Sequence, residues 1–532
     1  MHIAPWNHQW RKQQLSDLLS QQWDLVVVGG GITGAGILLA AAQQGWRCLL
    51  VEQQDIAWGT SSRSSKMVHG GLRYLAQGHW RLTRDSAQQR QYLLQAMHGL
   101  IEPLPFAYPH YKGEFPGPCI MSATLKVYDT LAGQRQHRQY SHTAADYLAP
   151  ALKQQQLTAI NCFQDAITDD VRLVLRVLQA ARALGAEVLT QVQVQAPIYQ
   201  QQRIVGLQVV DQLSGQAYSL TSQVVAQAAG VWTDLPQSDN YQLRPLRGSH
   251  LLLPYWRLPV SQAISFRHPQ DQRSVFVFPW AGATIIGTTD LDHQQDLQQE
   301  ARIEAAECLY LLAAANHLFP EARLTINDVR STWSGVRPIV TKQRQDQAPS
   351  AASREHHIWQ EPGRVSVAGG KLTTYRLLAA EVVQHCALQL TRHLKSKSID
   401  QSWQLAIPDW NFPAAIGWQQ RQRLLGYYGQ GVGDLLALFQ QLGTEQLAGL
   451  PLYQAELVFA CRYEQVLQLD DLLLRRTRIG LLLAEGGRAL LPLIKTLCQA
   501  ELEWSDQQWQ QQVKRYLEIW QRYYSLPEEL LV

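Results

Sequence analysis

A glycine pattern near the N-terminus constrains this chain more than any other feature. Residues 24–52 read DLVVVGGGITGAGILLAAAQQGWRCLLVE. An apolar strand (Leu25–Val28) runs into a turn, a small-residue helix follows, Gly45 stops it, and a second strand spans Cys48–Glu52. Gly29, Gly31 and Gly34 match G-x-G-x-x-G in the setting that gives the pattern meaning, after a strand and at the opening of a helix. Gly29 permits the tight turn, Gly31 admits a pyrophosphate to the backbone, and Gly34 lets helix and strand pack closely. The helix N-terminus then presents partial positive charge to two phosphates. Glu52 lies 18 residues after Gly34, near the ~20 expected of the acid that holds a ribose hydroxyl. The stretch predicts a Rossmann-like βαβ unit that binds a dinucleotide.

The residues that follow suggest which dinucleotide. Gly59-Thr60-Ser61-Ser62-Arg63-Ser64-Ser65-Lys66 and His69-Gly70-Gly71-Leu72-Arg73-Tyr74 crowd hydroxyls, glycines and basic groups together. Such a run suits an extended cofactor passing from pyrophosphate to flavin, so Thr60, Ser61, Ser62, Lys66, His69 and Gly70 join the cofactor candidates; the competing reading is a solvated serine-rich loop. Two later strands also end on small residues, at Ala229-Gly230 and at Gly369-Gly370, and a helix is predicted to start near Leu372. Gly230, Gly370, Leu372 and Thr373 are therefore placed against the cofactor.

With 532 residues, 46% of them apolar, the chain can bury large cores and should form more than one domain. A net charge of +3 argues against a nucleic-acid surface and is compatible with an anionic substrate. The seven cysteines are scattered without C-x-x-C, which argues against disulfides or a metal site and fits a reducing, cytoplasmic compartment. Residues 1–20 lack the apolar core of a signal peptide, and no apolar run approaches the ~18 residues of a membrane span. The segment before Trp23 reads as a short amphipathic helix lying on the surface, with a membrane-interface anchor as the lesser alternative.

Along the chain, a helix is expected over Trp80–His98 with Arg81, Arg84 and Arg90 outward. Pro103, Pro105, Pro109, Pro116 and Pro118 should break regular structure before a helix at Thr124–Leu131. Asp169 or Asp170 caps a helix that stops at Gly185, and three strands follow, with a turn at Ser214-Gly215. From Arg247 the text GSHLLLP, SVFVFPW and TIIGTTD predicts an antiparallel sheet with a hairpin at Ala281-Gly282. A helix at Glu300–Leu318, a turn at SGVRP and a polar surface loop at about Thr341–Glu355 come next. The fold class is α/β (α+β overall): a Rossmann-like FAD-binding domain with an interleaved antiparallel-sheet substrate domain and a C-terminal helical domain. The boundaries are an extension over 1–22, an oxidoreductase unit over 23–395, a linker over 396–418 and helices over 419–532. Within the unit the cofactor parts are about 23–75, 160–235 and 340–395, and the substrate parts 76–159 and 236–339. Asp470 and Asp471 precede Arg475 and Arg476 at helix-pair spacing, which predicts ordinary salt bridges on a helix face.

GGGITGAG, TSSRSSKMVHGGLRYL, GSH, GTTD, SGVRP, GGKLTTYR and RRTRIG, in this order over nearly the whole chain, closely resemble the FAD-dependent glycerol-3-phosphate dehydrogenases. The resemblance implies oxidation of sn-glycerol 3-phosphate to dihydroxyacetone phosphate, with hydride transfer from C2 to flavin N5. It further implies quinone as electron acceptor, with oxygen, the acceptor of oxidase relatives, as the alternative, and peripheral attachment to the inner face of the membrane; a homodimer is compatible with it. The sequence departs from the commoner pattern at Trp58-Gly59, before TSS, and in its N-terminal extension.

Such a substrate needs cations for its phosphate, a group to take the hydroxyl proton and a charge to steady the oxygen left behind. Arg73 and Lys371 are the phosphate candidates, with Tyr74 as hydroxyl donor. A lysine at a helix start is unfavourable unless an anion is present, which argues for Lys371 independently. Arg337 should face the reacting oxygen, and His250 is the preferred base. Each has a plainer reading: His250 as a core histidine, Arg73 in a salt bridge to Glu52 or another acid, Arg337 stitching a loop and Lys371 on the surface at a helix start. Which of His250 and Arg337 takes the proton stays open. Thr289 and Asp290 either line the pocket or form a turn. Two other functions compete: an amine or amino-acid oxidase on the same plan, and a flavin-binding protein without turnover.

Overall fold

The computed structural model describes residues 2–76, 78–234, 241–342, 355–390 and 410–531. Most of the polar loop and of the linker expected above lies outside them.

Among the described residues the first sheet has eight strands, and parallel pairing organises its centre. Gln22–Val28 sits between Cys48–Val51 and Ala217–Gln227; Glu187–Leu189 extends one side and Arg364–Ala368 the other, all parallel. His357–Glu361 closes an edge antiparallel, and Val192–Gln200 with Arg203–Asp211 forms a meander onto Ala217–Gln227. Strands that come from both the beginning and the later part of the chain thus share one sheet. The glycine-rich helix, Ile32–Gln43, lies against the helices Asp170–Ala183 and Tyr375–Gln389. A Cβ at Gly36 would stand 2.9 Å from the Tyr375 ring and 3.1 Å from Ala379, so the small residue sets that approach. Asp169 caps its helix, accepting from the N–H groups of Val171 and Arg172. The helix after Gly370 starts at Tyr375, three residues later than expected.

The second sheet has ten strands among the described residues and is largely antiparallel. Its spine is Tyr241–Pro254, which pairs with Ser331–Lys342 over twelve residues and with Ala283–Gly287 on its other side. SGVRP is therefore the middle of a continuous strand and not a turn. Alternation along the spine sends Leu251 and Leu253 to a core shared with the helix Ala305–Leu318. Leu252 points the other way, into a core shared with the C-terminal helices. The sheet also takes Met67–Val68, wholly within a range assigned above to the cofactor side, and Leu157–Thr168, partly within one.

The proline-rich passage departs from expectation. Pro103, Pro105 and Pro109 lie inside a strand, Ile101–Tyr111, paired with Leu157–Thr168. All three have the same parity, so their missing N–H groups face one edge, where the neighbour Ala263–Arg267 pairs only at Phe106 and Ala107. Pro118 opens the helix Pro118–Ala132 at its first turn. Arg90, expected outward, is 2% exposed and binds Asp165 at 2.6 Å and the Tyr128 hydroxyl at 3.1 Å.

The N-terminal segment forms a helix, His8–Ser20, whose Leu15, Leu18 and Leu19 pack on the first sheet. That use of its apolar residues leaves none of the three for a membrane. Arg475, Arg476 and Arg478 do not lie on an exposed helix face either. Asp55, in the loop after the second strand, binds Arg476 at 2.6 Å and also Arg475; Arg475 also reaches Asp470 and Asp471, and Arg478 reaches Asp169 and Asp170. All eight groups are buried. Burial works against ionising Asp55, but Arg476 and Arg475 hold its pKa below the usual value.

Candidate active site

A cavity of about 340 Å³ opens where the parallel strands end, and the glycine turn forms its floor. Of the expected cofactor residues Gly29, Gly31, Glu52, Thr60, Ser61, Gly230, Gly370 and Leu372 line it, as does Lys371. Gly29 has φ +111°, and a Cβ there would meet the Ala228 carbonyl oxygen at 2.6 Å. A Cβ at Gly34 would collide with the Gly29 carbonyl, so this glycine serves helix packing behind the cavity. Gly31 is the N-cap and supplies no side-chain cap, so the first turn of the helix meets the cavity through its backbone. Ser61 Oγ accepts from Ile32 N–H at 3.0 Å. Half-buried Glu52 accepts from Gly30 N–H at 2.6 Å and Gln54 N–H at 2.8 Å; burial raises its pKa, and those two bonds oppose the rise. A backbone-lined helix terminus with an acid at the next strand end fits the pyrophosphate and ribose of a dinucleotide.

Other expected cofactor residues sit elsewhere. Lys66 is fully buried, with its ammonium 2.9 Å from Asp170 and 2.6 Å from the Ser62 carbonyl oxygen. Its charge is spent on that carboxylate, and burial first, despite Asp170, lowers its pKa to about 8. Ser62 is buried and bonds backward to Gly59 O at 3.3 Å. Gly70 donates to Asp165 at 3.0 Å and packs on Tyr128. Thr373 Oγ1 donates to the His69 carbonyl oxygen at 3.1 Å, tying the two motifs GGKLTTYR and HGGLRY together.

The chemistry candidates form two groups. Lys371 Nζ lies 3.5 Å from the centroid of the buried Tyr74 ring, a cation–π contact. The side chain of Arg73 lies outside the described residues. The second group sits on the spine of the other sheet. His250 pairs with Trp333, Gly248 with Gly335 and Leu246 with Arg337, so His250 and Arg337 come from two adjacent strands onto one face. Two glycines make this possible: a Cβ at Gly248 would collide with the Arg337 guanidinium, and one at Gly287 would collide with the His250 ring. Arg337 is 21% exposed and binds Asp290 at 3.0 Å and Thr288 Oγ1 at 3.4 Å. Thr289 turns to the opposite side, donating to Glu307 at 2.6 Å. His250 is 1% exposed, stacks on Trp333 (4.8 Å, 11°) and places Nε2 2.8 Å from Ser65 Oγ. Burial, then Arg337 and Lys66, push its pKa well below the ordinary imidazole value. Ser64 and Pro338, the neighbours of Ser65 and Arg337, line the cavity.

The FAD dependent oxidoreductase family matches residues 24–376, and the C-terminal domain of alpha-glycerophosphate oxidase matches residues 366–509. An aerobic glycerol-3-phosphate dehydrogenase of Staphylococcus haemolyticus is 33% identical over 491 residues, 87% of each chain. One of Staphylococcus aureus is 32% identical over 499 residues, 88% of each. The chain belongs to the FAD-dependent glycerol-3-phosphate dehydrogenase family. FAD is accordingly its cofactor, and it is an oxidoreductase. The glycerol-3-phosphate dehydrogenase of Bacillus halodurans, solved with FAD, superposes with TM-score 0.75 at 26% identity, covering 96% of this chain and 98% of its own. An L-alpha-glycerophosphate oxidase of Mycoplasma pneumoniae shares the fold at 18% identity, with TM-score 0.54, 74% of this chain and 99% of its own.

For a member of this family, sequence reasoning passed over Ser65, Trp333 and the pair Gly248 and Gly287. Ser65 is one hydroxyl in a run of them, and only the fold selects it. The glycines carried a legible signal: Gly248 lies within one strand and Gly287 ends another, and a glycine in a strand marks close approach by another group.

Proposed function

We propose that this chain oxidises sn-glycerol 3-phosphate to dihydroxyacetone phosphate and passes the electrons to a quinone. One observation carries the reading: a buried imidazole and a guanidinium share a sheet face next to the walls of the FAD cavity, in a chain 33% identical to a relative named for this activity. When bound, FAD supplies the acceptor for the two electrons and the hydrogen that leave C2. The protein's own groups do the rest. His250, kept neutral, receives the proton of the C2 hydroxyl. Arg337, held by Asp290, faces the oxygen as negative charge develops on it. Lys371, with Arg73 and the Tyr74 hydroxyl, binds the phosphate.

Transfer to quinone requires peripheral contact of a cytoplasmic protein with the inner face of the membrane. Among the described residues no helix is long and apolar enough to cross one. Anaerobic mixing of the yellow holoprotein with glycerol 3-phosphate should bleach the oxidised-flavin absorbance. Bleaching by amino acids but not by glycerol 3-phosphate would reverse the choice of substrate; a glycine oxidase of Bacillus cereus shares the fold at 17% identity, with TM-score 0.52.

A further inference from the structure

Ser65 is the one side chain within hydrogen-bonding distance of His250 Nε2, at 2.8 Å, among the described residues. Its neighbours on both sides are fixed to a single buried carboxylate. Ser64 donates to Asp170 through N–H (3.1 Å) and Oγ–H (2.7 Å), and Lys66 donates to both carboxylate oxygens at 2.9 Å. Trp333 holds the same segment, donating from Nε1 to the Ser64 carbonyl oxygen at 3.2 Å, while its ring stacks on His250. Arg478, from the C-terminal helices, closes the set on Asp170. Asp170 and Trp333, with Arg478 behind Asp170, thus hold a tripeptide whose central hydroxyl meets the imidazole. Ser64 lines the flavin cavity, whereas Ser65 and His250 do not, so the Ser65 hydroxyl follows directly on a residue of the cavity wall and meets the base at 2.8 Å.

We propose that Ser65 relays the proton from substrate to His250, a step that rests on the oxidation proposed above. With its own proton on Nδ1, the imidazole offers the Nε2 lone pair, and Ser65 donates to it. The substrate C2 O–H bond breaks as its proton passes to Ser65 Oγ. The Ser65 O–H bond breaks as that proton passes to His250 Nε2. Serine begins and ends neutral, imidazole ends as imidazolium, and the electron pair of the broken substrate bond stays on oxygen beside Arg337.

The test uses full-length holoenzyme and anaerobic stopped-flow reduction by glycerol 3-phosphate. Ser65→Ala should lower the limiting rate about 100-fold, the size of a positioned acid–base contribution, with FAD content and substrate Kd unchanged. Ser65→Thr keeps a hydroxyl and should restore most of the rate. In protein with 15N-labelled histidine rings, the Nε2 resonance of His250, assigned by its loss in His250→Gln, should move in Ser65→Ala. A Ser65→Ala rate within about threefold of wild type, well below the usual acid–base contribution, would overturn the relay. So would Ser65→Thr as slow as Ser65→Ala, or an unmoved resonance. Wild-type flavin that glycerol 3-phosphate fails to reduce would instead overturn the substrate assignment, and the relay with it.

Discussion

His250 shows how burial and charge together set the protonation state of one residue. Desolvation is the first cause of its lowered pKa, and Arg337 and Lys66 add to it. The neutral ring is the reactive form, so the rate of flavin reduction should be level around pH 7 and fall only at a pH below the ordinary value of 6.5. Arg337→Gln removes one cause of the depression, and the acid limb of the pH–rate profile should move upward; a limb that stays in place would contradict the coupling. Lys371→Ala should weaken binding of glycerol 3-phosphate by about 10- to 100-fold, the worth of one charge-assisted hydrogen bond, as read from the substrate dependence of flavin reduction. At this scale the sequence was legible where a residue acts through its backbone, as at Gly29 and Gly31. It was opaque where a side chain meets a distant partner. Nothing near Lys66 or Arg90 announces Asp170 or Asp165, which lie 104 and 75 residues away.

Elements dock through charge as well as apolar surface in this protein. The segment Asp470–Arg478 inserts three arginines between the C-terminal helices and the cofactor half, where Asp55, Asp169 and Asp170 receive them. Arg476→Met leaves Asp55 short of one of its two arginines and should cost about 3–5 kcal/mol in denaturant unfolding, whereas Asp55→Leu with Arg476→Met should recover part of that loss. A double variant no better than the single would refute this account of the pair. The spacing of Asp471 and Arg475 fits an exposed helix pair as well as a buried one, which is why the sequence suggested the former. The prolines misled for a related reason. Their residue type argues against a strand, but their common parity places every missing N–H on one side of it.

Over the whole molecule, the N-terminal extension acts as a brace. Trp6 is fully buried and exchanges backbone hydrogen bonds with Arg462 and Gln465, Ile3 N–H reaches Asp434, and the helix His8–Ser20 packs on the first sheet. Deleting residues 2–20 exposes the partners of Trp6, Leu15, Leu18 and Leu19, at about 1.5–3 kcal/mol for each large apolar side chain. The truncated protein should therefore melt at clearly lower temperature; an unchanged Tm would contradict the brace. The two-sheet plan was legible because period-two alternation and the glycine-ended strands survive in local text, whereas the first residues of the extension dock through contacts more than 400 residues away in sequence. The most direct measurement is a crystal structure of the FAD-loaded protein with glycerol 3-phosphate. The phosphate should lie on Lys371, and the C2 oxygen should lie within about 2.6–3.2 Å of Ser65 Oγ and face Arg337. A substrate bound away from the face shared by His250 and Arg337 would contradict the assignment.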